Sequence, residues 1–212
     1  KSDQLTEALA SNWRPHHSVV AAQIIAHIDF CDAAIERLTG EIGERLGPFD
    51  ELIERMVEVP GVNRITAEIV IAETGADMLK FQTPEQLCAW AGVAPANHES
   101  AGKHRPAGTR PGGRWLRRAL VESAKSAART KETYLAAQYR QIARRRGPNK
   151  ATIAVAHSIL TILWHLMATD VRYEDLGGDY FQRRRDPARE TKRLIRQLGE
   201  LGYRVTLDPV AA

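Results

Sequence analysis

Residues Glu51–Gly75 read ELIERMVEVPGVNRITAEIVIAETG, and their pattern indicates the architecture most clearly. On both sides of Pro60-Gly61 the apolar residues recur every three or four positions, which is the spacing of an amphipathic helix. Proline and glycine interrupt helices, and a further glycine closes the stretch. The sequence therefore predicts two short helices, Glu51–Val59 and Ile65–Thr74, joined by a tight turn at Pro60–Asn63.

A short helix, a Pro-Gly turn between apolar residues and a second helix are typical of the helix-hairpin-helix, here residues 51–75. In that motif, backbone N–H groups of the turn and the second helix's N-terminus face a nucleic-acid phosphate. The candidate DNA contacts are Gly61, Asn63 and Arg64. Asn63 stands where the motif usually has glycine, and asparagine tolerates the left-handed conformation better than most residues. An ordinary antiparallel helix pair with a Pro-Gly turn is the alternative.

Upstream of this stretch the sequence predicts one long helix from about His17 to Leu46, stopped by Gly47-Pro48. Its apolar residues alternate steps of three and four, as in a coiled-coil seam: Ala21, Ile24, Ile28, Cys31, Ile35, Leu38 and Ile42. We therefore assign residues 1–48 to a helical assembly arm and residues 49–212 to a helical domain. The seam suits an intramolecular hairpin or a dimer contact.

Downstream, helices dominate the pattern. A capping box with proline at the first helical position, Thr83–Gln86, starts a helix that ends at Gly92. Further helices are predicted at residues 114–128, 134–146, 151–167 and 187–198, with a short strand at 203–207. The predicted fold class is all-α: a long N-terminal coiled-coil-like helix, then a helical domain with a helix-hairpin-helix and a long basic loop.

Two further features bear on location. The apolar helix at residues 151–167 carries His157, Ser158, Thr161 and His165, so we interpret it as a buried core helix rather than a membrane span. We find no signal peptide and expect a cytoplasmic protein with no membrane partner. Cys31 and Cys88 form no metal or disulfide pattern and are predicted to be buried reduced thiols.

The charge distribution points to a polyanionic partner. The whole chain has a net charge of +4, yet residues 101–150 contain 14 basic and 2 acidic residues. Such a block favours phosphate binding, because each contact with a nucleic acid releases condensed counterions. A merely solvated surface is the alternative. The runs Arg144–Arg146 and Arg183–Arg185 could bind a nucleic-acid backbone, or could simply complement a helix dipole.

Residues 92–113 are rich in glycine and proline and are predicted to form a long irregular loop. The loop holds one serine, Ser100, followed by basic residues that are candidate phosphate contacts: Lys103, Arg105, Arg110 and Arg114. A serine hydroxyl becomes a nucleophile when a base takes its proton and cations stabilise charge on the attacked phosphate. His98, Glu99 and His104 could accept that proton or bind a metal, although their spacing matches no standard zinc motif.

An ordered series of short motifs resembles the bridge-RNA-guided insertion-sequence transposases. The motifs are Val59-Pro-Gly-Val, Thr66-Ala-Glu, Ala72-Glu-Thr-Gly, Trp90-Ala-Gly-Val-Ala-Pro, Glu99-Ser-Ala-Gly-Lys, Gly108-Thr-Arg-Pro-Gly, Trp115-Leu-Arg-Arg-Ala-Leu-Val-Glu and Ala154-Val-Ala-His-Ser-Ile-Leu. The likeness extends from Ala26-His-Ile-Asp-Phe to Gly202-Tyr-Arg-Val-Thr-Leu, which is most of the chain.

The resemblance implies a concrete function. In that family, the serine matched here by Ser100 attacks a DNA strand and forms a transient phosphoserine link during transposition. A structured bridge RNA sets the sequence specificity, and the proteins act as dimers or higher oligomers. A coiled coil joins the transposase domain to an N-terminal RuvC-like domain whose acidic residues bind Mg²⁺.

No βαβ pattern with spaced carboxylates precedes the predicted coiled coil, and the chain opens with Lys1. We therefore expect a fragment that corresponds to the coiled coil and transposase domain. It would have no cofactor of its own, because Mg²⁺ belongs to the absent domain, and it would be inactive alone.

Two other function classes stay open at the level of sequence. A non-catalytic helix-hairpin-helix DNA-binding module would lose binding when Gly61 and Asn63 are changed, and would be indifferent to Ser100→Ala. A scaffold that dimerises through its N-terminal helix would be retained on DNA or heparin independently of salt, whereas phosphate binding weakens steeply as salt rises.

Overall fold

The computed structural model describes residues 13–96, 99–100, 103–104, 108–109, 111–169, 171–184 and 186–207. These residues are mostly helical, which confirms the predicted all-α class. They divide into two compact units, one ending at Asp50 and one beginning at Glu51.

The first unit consists of α1 (Pro15–Leu46) and a 3₁₀ turn at Gly47–Phe49. Proline at the first helical position starts α1, and Gly47-Pro48 ends it as predicted. The large apolar residues of the predicted seam are 47–63% exposed: Ile24, Ile28, Ile35, Leu38 and Ile42. The coiled coil and the dimer contact stay predictions.

The second unit is built from helices, and except for the short helix Tyr180–Arg183, which was not predicted, their ends lie within a few residues of the predicted ones. They are α2 (Asp50–Val57), α3 (Arg64–Thr74), α4 (Pro84–Trp90), α5 (Arg114–Ala127), α6 (Tyr134–Arg146), α7 (Pro148–Ala168), α8 (Tyr180–Arg183) and α9 (Pro187–Glu200), with a 3₁₀ turn at Met78–Lys80. The predicted caps are present. The Thr83 hydroxyl accepts from the Gln86 N–H at 3.4 Å, and the Asp186 carboxylate accepts from the Ala188 N–H at 2.9 Å.

The core forms around α7, against which α4, α5 and α6 pack. Eight of its residues are buried: Ala151, Thr152, Val155, Ala156, Ile159, Leu160, Leu163 and Leu166. This confirms that the apolar helix at residues 151–167 is a core helix. Leu116 and Leu120 of α5 and Leu135 of α6 complete the same core, each fully buried.

By length and composition alone, two helical stretches could cross a membrane, Pro15–Val57 and Pro148–Ala168. The second is α7, whose apolar length is explained by its packing. One or two such helices are weak grounds for a membrane protein, because core helices pass the same test. The absence of a membrane partner and the cytoplasmic location stay predictions.

Two local predictions were wrong. Residues 203–207 form no strand, because an alternating pattern makes a strand only where another strand pairs with it, and no described strand does so. Cys31 is only half-buried on α1, because the other side chains of this helix do not by themselves enclose it. Cys88 is buried under α7, and burial raises the pKa of its thiol to about 11.

Candidate active site

The loop that carries Ser100 contains a short β-hairpin. Strand β1 (Glu99–Ser100) pairs antiparallel with β2 (Lys103–His104), and the register matches Ser100 with Lys103 and Glu99 with His104. The sequence predicted an irregular loop here. It did carry a sign of the hairpin, since the strands are separated by two residues of which the second is glycine, a common connection in tight hairpins.

The hairpin stands on a base of hydrogen bonds. Pro95 and Thr109 form an antiparallel bridge, and the Ala96 N–H donates to the Gly108 carbonyl at 2.9 Å. The guanidinium of Arg117 on α5 donates to the Thr109 hydroxyl at 2.7 Å. Sequence analysis missed Arg117, because nothing local distinguishes it from the other basic residues of α5.

Two helix ends hold this base in place. The N–H groups of Val93 and Ala94 both donate to the Cys88 carbonyl of α4, at 3.0 and 3.1 Å. After the hairpin, Gly112 packs closely on the peptide that joins Ala91 and Gly92. A Cβ at Gly112 would overlap the atoms of that peptide. The chain therefore enters the hairpin from the end of α4 and leaves it at the start of α5.

We expect Gly112→Ala to destabilise the domain by about 2 kcal/mol, because the new methyl group would overlap backbone atoms that cannot rotate away. Gly113→Ala is the matched control. Its Cβ would meet only Glu73 Oε2 at 3.7 Å and Leu116 Cβ at 3.8 Å, which is ordinary contact. Urea unfolding of both variants measures the difference, and equal stabilities would show that the close approach is not required.

The predicted site residues of the loop are only partly described. The backbones of Ser100 and Lys103 face each other in the hairpin, whereas their side chains, together with Arg105 and Arg110, lie outside the described residues. Arg114 begins α5 and is exposed, with its guanidinium 5.6 Å from the ring centroid of Trp115. Trp115 is itself 61% exposed, so a cation and an aromatic ring lie together where the loop ends.

The turn at Pro60–Asn63 packs against α5. Gly61 has a φ of +87°, and a Cβ there would lie 2.6 Å from Ala127 N and would overlap the Ser123 carbonyl. A buried hydrogen bond of 3.1 Å joins the hydroxyls of Thr66 and Ser123 beside it. The glycine is therefore required by packing, whatever the turn binds.

The left-handed conformation considered for Asn63 was wrong, whereas its role as a DNA contact stays a prediction. Its backbone is extended, with φ −106° and ψ 171°, rather than left-handed. Its side chain caps α3 by accepting from the Thr66 N–H at 2.8 Å, a role for which asparagine is among the best residues.

The electrostatics beside this turn are mixed. Arg64 forms an ion pair of 2.9 Å with Glu68 one turn along α3. Glu122 of α5 lines the small pocket at the turn, and a hydrogen bond from Lys125 holds the pKa of that carboxyl below its usual value. A negative charge therefore sits where the helix-hairpin-helix interpretation places a phosphate, and DNA binding by this turn stays a prediction.

Within the described ranges, no three His, Cys, Asp or Glu side chains lie close enough together to share a metal ion. Of the residues weighed as metal ligands, Glu99 and His104 are backbone partners in the hairpin, and His98 lies outside the described residues. The described part of the chain thus offers no ready-made metal centre.

The chain is similar to proteins named as transposases in three bacteria. It is 31% identical over 134 residues to one from Sinorhizobium fredii, covering 61% of this chain and 34% of that protein. It is 30% identical over 146 residues to a protein named as a family 20 transposase in Pseudomonas aeruginosa, covering 67% and 43%. It is 30% identical over 128 residues to the transposase for insertion sequence element IS1111A of Coxiella burnetii, covering 58% and 35%.

The matched segments span less than half the length of each of these relatives. Residues 53–140 match the model of the transposase IS116/IS110/IS902 family, a range that runs from α2 through the hairpin into α6. The hairpin and both helices at its base thus lie inside the matched range, and the chain belongs to the IS116/IS110/IS902 transposase family.

Proposed function

We propose that this chain carries the nucleophile of a DNA transposase, and that Ser100 attacks a DNA phosphodiester to form a transient phosphoserine link. The observation that carries the proposal is the hairpin register, in which the backbone of Ser100 lies opposite Lys103. The hairpin stands on a base fixed by α4 and Arg117, inside the segment that matches the transposase family. A fixed base is what a nucleophile needs, because small misplacements cost large factors in rate.

The step is a phosphoryl transfer that conserves one phosphodiester. A bond forms between Ser100 Oγ and phosphorus, while the bond from phosphorus to one sugar oxygen breaks. The hydroxyl proton leaves with a base, and the departing sugar oxygen takes up a proton. Attack by a second sugar hydroxyl on the phosphoserine reverses these changes and joins the new strand. Lys103, Arg105, Arg110 and Arg114 are the cations we assign to the developing charge on the phosphate oxygens.

The wider machinery is proposed from the resemblance. DNA would be the substrate, a structured bridge RNA would select the sites, and a homodimer or higher oligomer would assemble through α1, whose apolar seam is exposed. Mg²⁺ would be bound by an acidic domain outside this chain.

The helix-hairpin-helix module without catalysis is less well supported. Its key glycine has a packing role, its asparagine is a helix cap, and Glu122 lies at the pocket where phosphate would bind. Each of these features is accounted for without a nucleic acid.

The proposal is tested by locating the covalent link. The chain, in its complete reading frame and with its guide RNA, is reacted with a nicked suicide substrate that prevents rejoining, and the adduct is digested and sequenced by mass spectrometry. We expect the nucleotide remnant on the peptide that contains Ser100. Strand-transfer products without any protein–DNA adduct, or an adduct on another residue, would contradict the proposal.

A further inference from the structure

A second cationic surface lies away from the hairpin, between α6, α8 and α9. It is a groove of about 840 Å³, and its arginines are Arg140, Arg144, Arg145 and Arg193. No element of the hairpin or its base contributes to the lining. The function proposed for Ser100 therefore leaves this groove unexplained.

The helix dipole does not account for these arginines. Arg144 and Arg145 lie in the last turn of α6, where a positive charge complements the helix terminus. Arg140 lies a full turn earlier, beyond the reach of that effect, and Arg193 comes from a different helix. Basic residues from separate elements thus converge on one hollow.

The positive charge of the α6 arginines in the groove is only weakly compensated. In the part of the chain that the structure describes, Arg140, Arg144 and Arg145 have no hydrogen-bonded or ion-paired carboxylate. Two carboxylates, Glu132 and Asp179, line an adjoining hollow together with Arg140, and Asp179 is paired with Arg183 at 3.1 Å. Holding several like charges together is unfavourable unless a polyanion joins them.

The opposite wall of the groove is fixed in place. Phe181 stacks on Tyr134 with ring centroids 5.3 Å apart, and the Asp175 carboxylate accepts from the Tyr134 N–H at 2.9 Å. A Cβ at Gly178 would lie 2.9 Å from the Cα of Glu132, so the turn before α8 rests directly on the backbone that precedes α6. These contacts hold the aromatic wall against the arginine-bearing helix.

We propose that this groove binds a single strand of DNA, with the phosphates on Arg140, Arg144 and Arg145 and a base against Phe181. Arginines that track the backbone, combined with an aromatic stacking surface, are the usual means of binding unpaired strands. Gln141 and Gln182 add amide groups that can hydrogen-bond to an exposed base edge. The choice of DNA over RNA rests on the proposed transposase function.

The test measures binding of a labelled oligothymidylate of about 16 nucleotides, the upper end of known single-strand site sizes, by fluorescence anisotropy with the 212-residue chain. For Arg140→Gln/Arg145→Gln we expect binding about tenfold weaker or more at about 0.1 M salt, and a salt slope smaller by about 1.4, since each lost phosphate contact removes about 0.7. The matched control, Arg118→Gln/Arg129→Gln, removes two exposed arginines outside the groove and should bind like the wild type.

Equal loss in the two double variants would overturn the proposal, because net charge alone would then explain binding. A duplex or an oligouridylate bound as tightly by the wild type would overturn it as well, and would point to duplex DNA or RNA instead. The outcome is independent of the adduct experiment. If the groove variants bind oligothymidylate like the wild type, the phosphoserine link can still form. If no adduct forms on Ser100, the groove can still bind oligothymidylate.

Discussion

Ser100→Ala is expected to abolish covalent capture of DNA while leaving DNA binding unchanged. The substitution removes one oxygen, which the proposed mechanism uses as the attacking atom. Loss of a catalytic nucleophile usually lowers the rate by about 10³-fold or more. The measurement is the yield of protein–DNA adduct on a nicked suicide substrate, with binding followed separately by gel shift.

Ser126→Ala is the matched control, since Ser126 is an exposed serine of α5 in the same family-matched segment. It should form adducts at the wild-type level. If Ser100→Ala formed as much adduct as the wild type, Ser100 would not be the nucleophile. The chain would then be interpreted as a binding protein only.

Gly61→Ala is expected to destabilise the helical domain by about 3 kcal/mol. About 1 kcal/mol comes from placing a side chain at positive φ, and the remainder from the clash with the backbone of α5 at Ser123 and Ala127. For a domain of this size, the melting temperature should decrease by roughly 6–12 °C.

Gly75→Ala separates the two causes. Gly75 also has a positive φ, +72°, but the nearest atom to its Cβ would be the flexible Lys80 Nζ at 3.4 Å. It should therefore show the conformational cost alone, about 1 kcal/mol. If the two variants melted together, the contact between the turn and α5 would contribute nothing to stability. Because Gly61 is needed for folding, substitutions there do not test DNA binding by the turn.

Local chemistry made most of the helices predictable. Thr83 and Asp186 are each followed by proline, and both caps were found where the sequence placed them. These caps depend on residues within one turn of each other, which is the range over which sequence reasoning is reliable. The polar residues within its apolar pattern also distinguished α7 as a core helix.

Predictions failed where a distant or competing interaction decided the structure. Asn63 can adopt a left-handed backbone or cap a helix, and the start of α3 immediately after it favoured the cap. The hairpin around Ser100 depends on Arg117 and on the end of α4, which are separated from it in sequence. The arginine groove draws on three helices, and no local pattern joins them.

Because α5 is a rigid helix, it fixes the distance between the base of the hairpin and the Pro-Gly turn. Arg117, which holds the base of the hairpin, and Ala127, against which the Pro-Gly turn packs, are ten residues apart in this helix, or about 15 Å. At roughly 3.4 Å per base pair, that distance corresponds to about four base pairs of duplex. A duplex bound at both places would therefore be protected at two positions separated by this interval. Footprinting would show the two protected positions at that constant spacing.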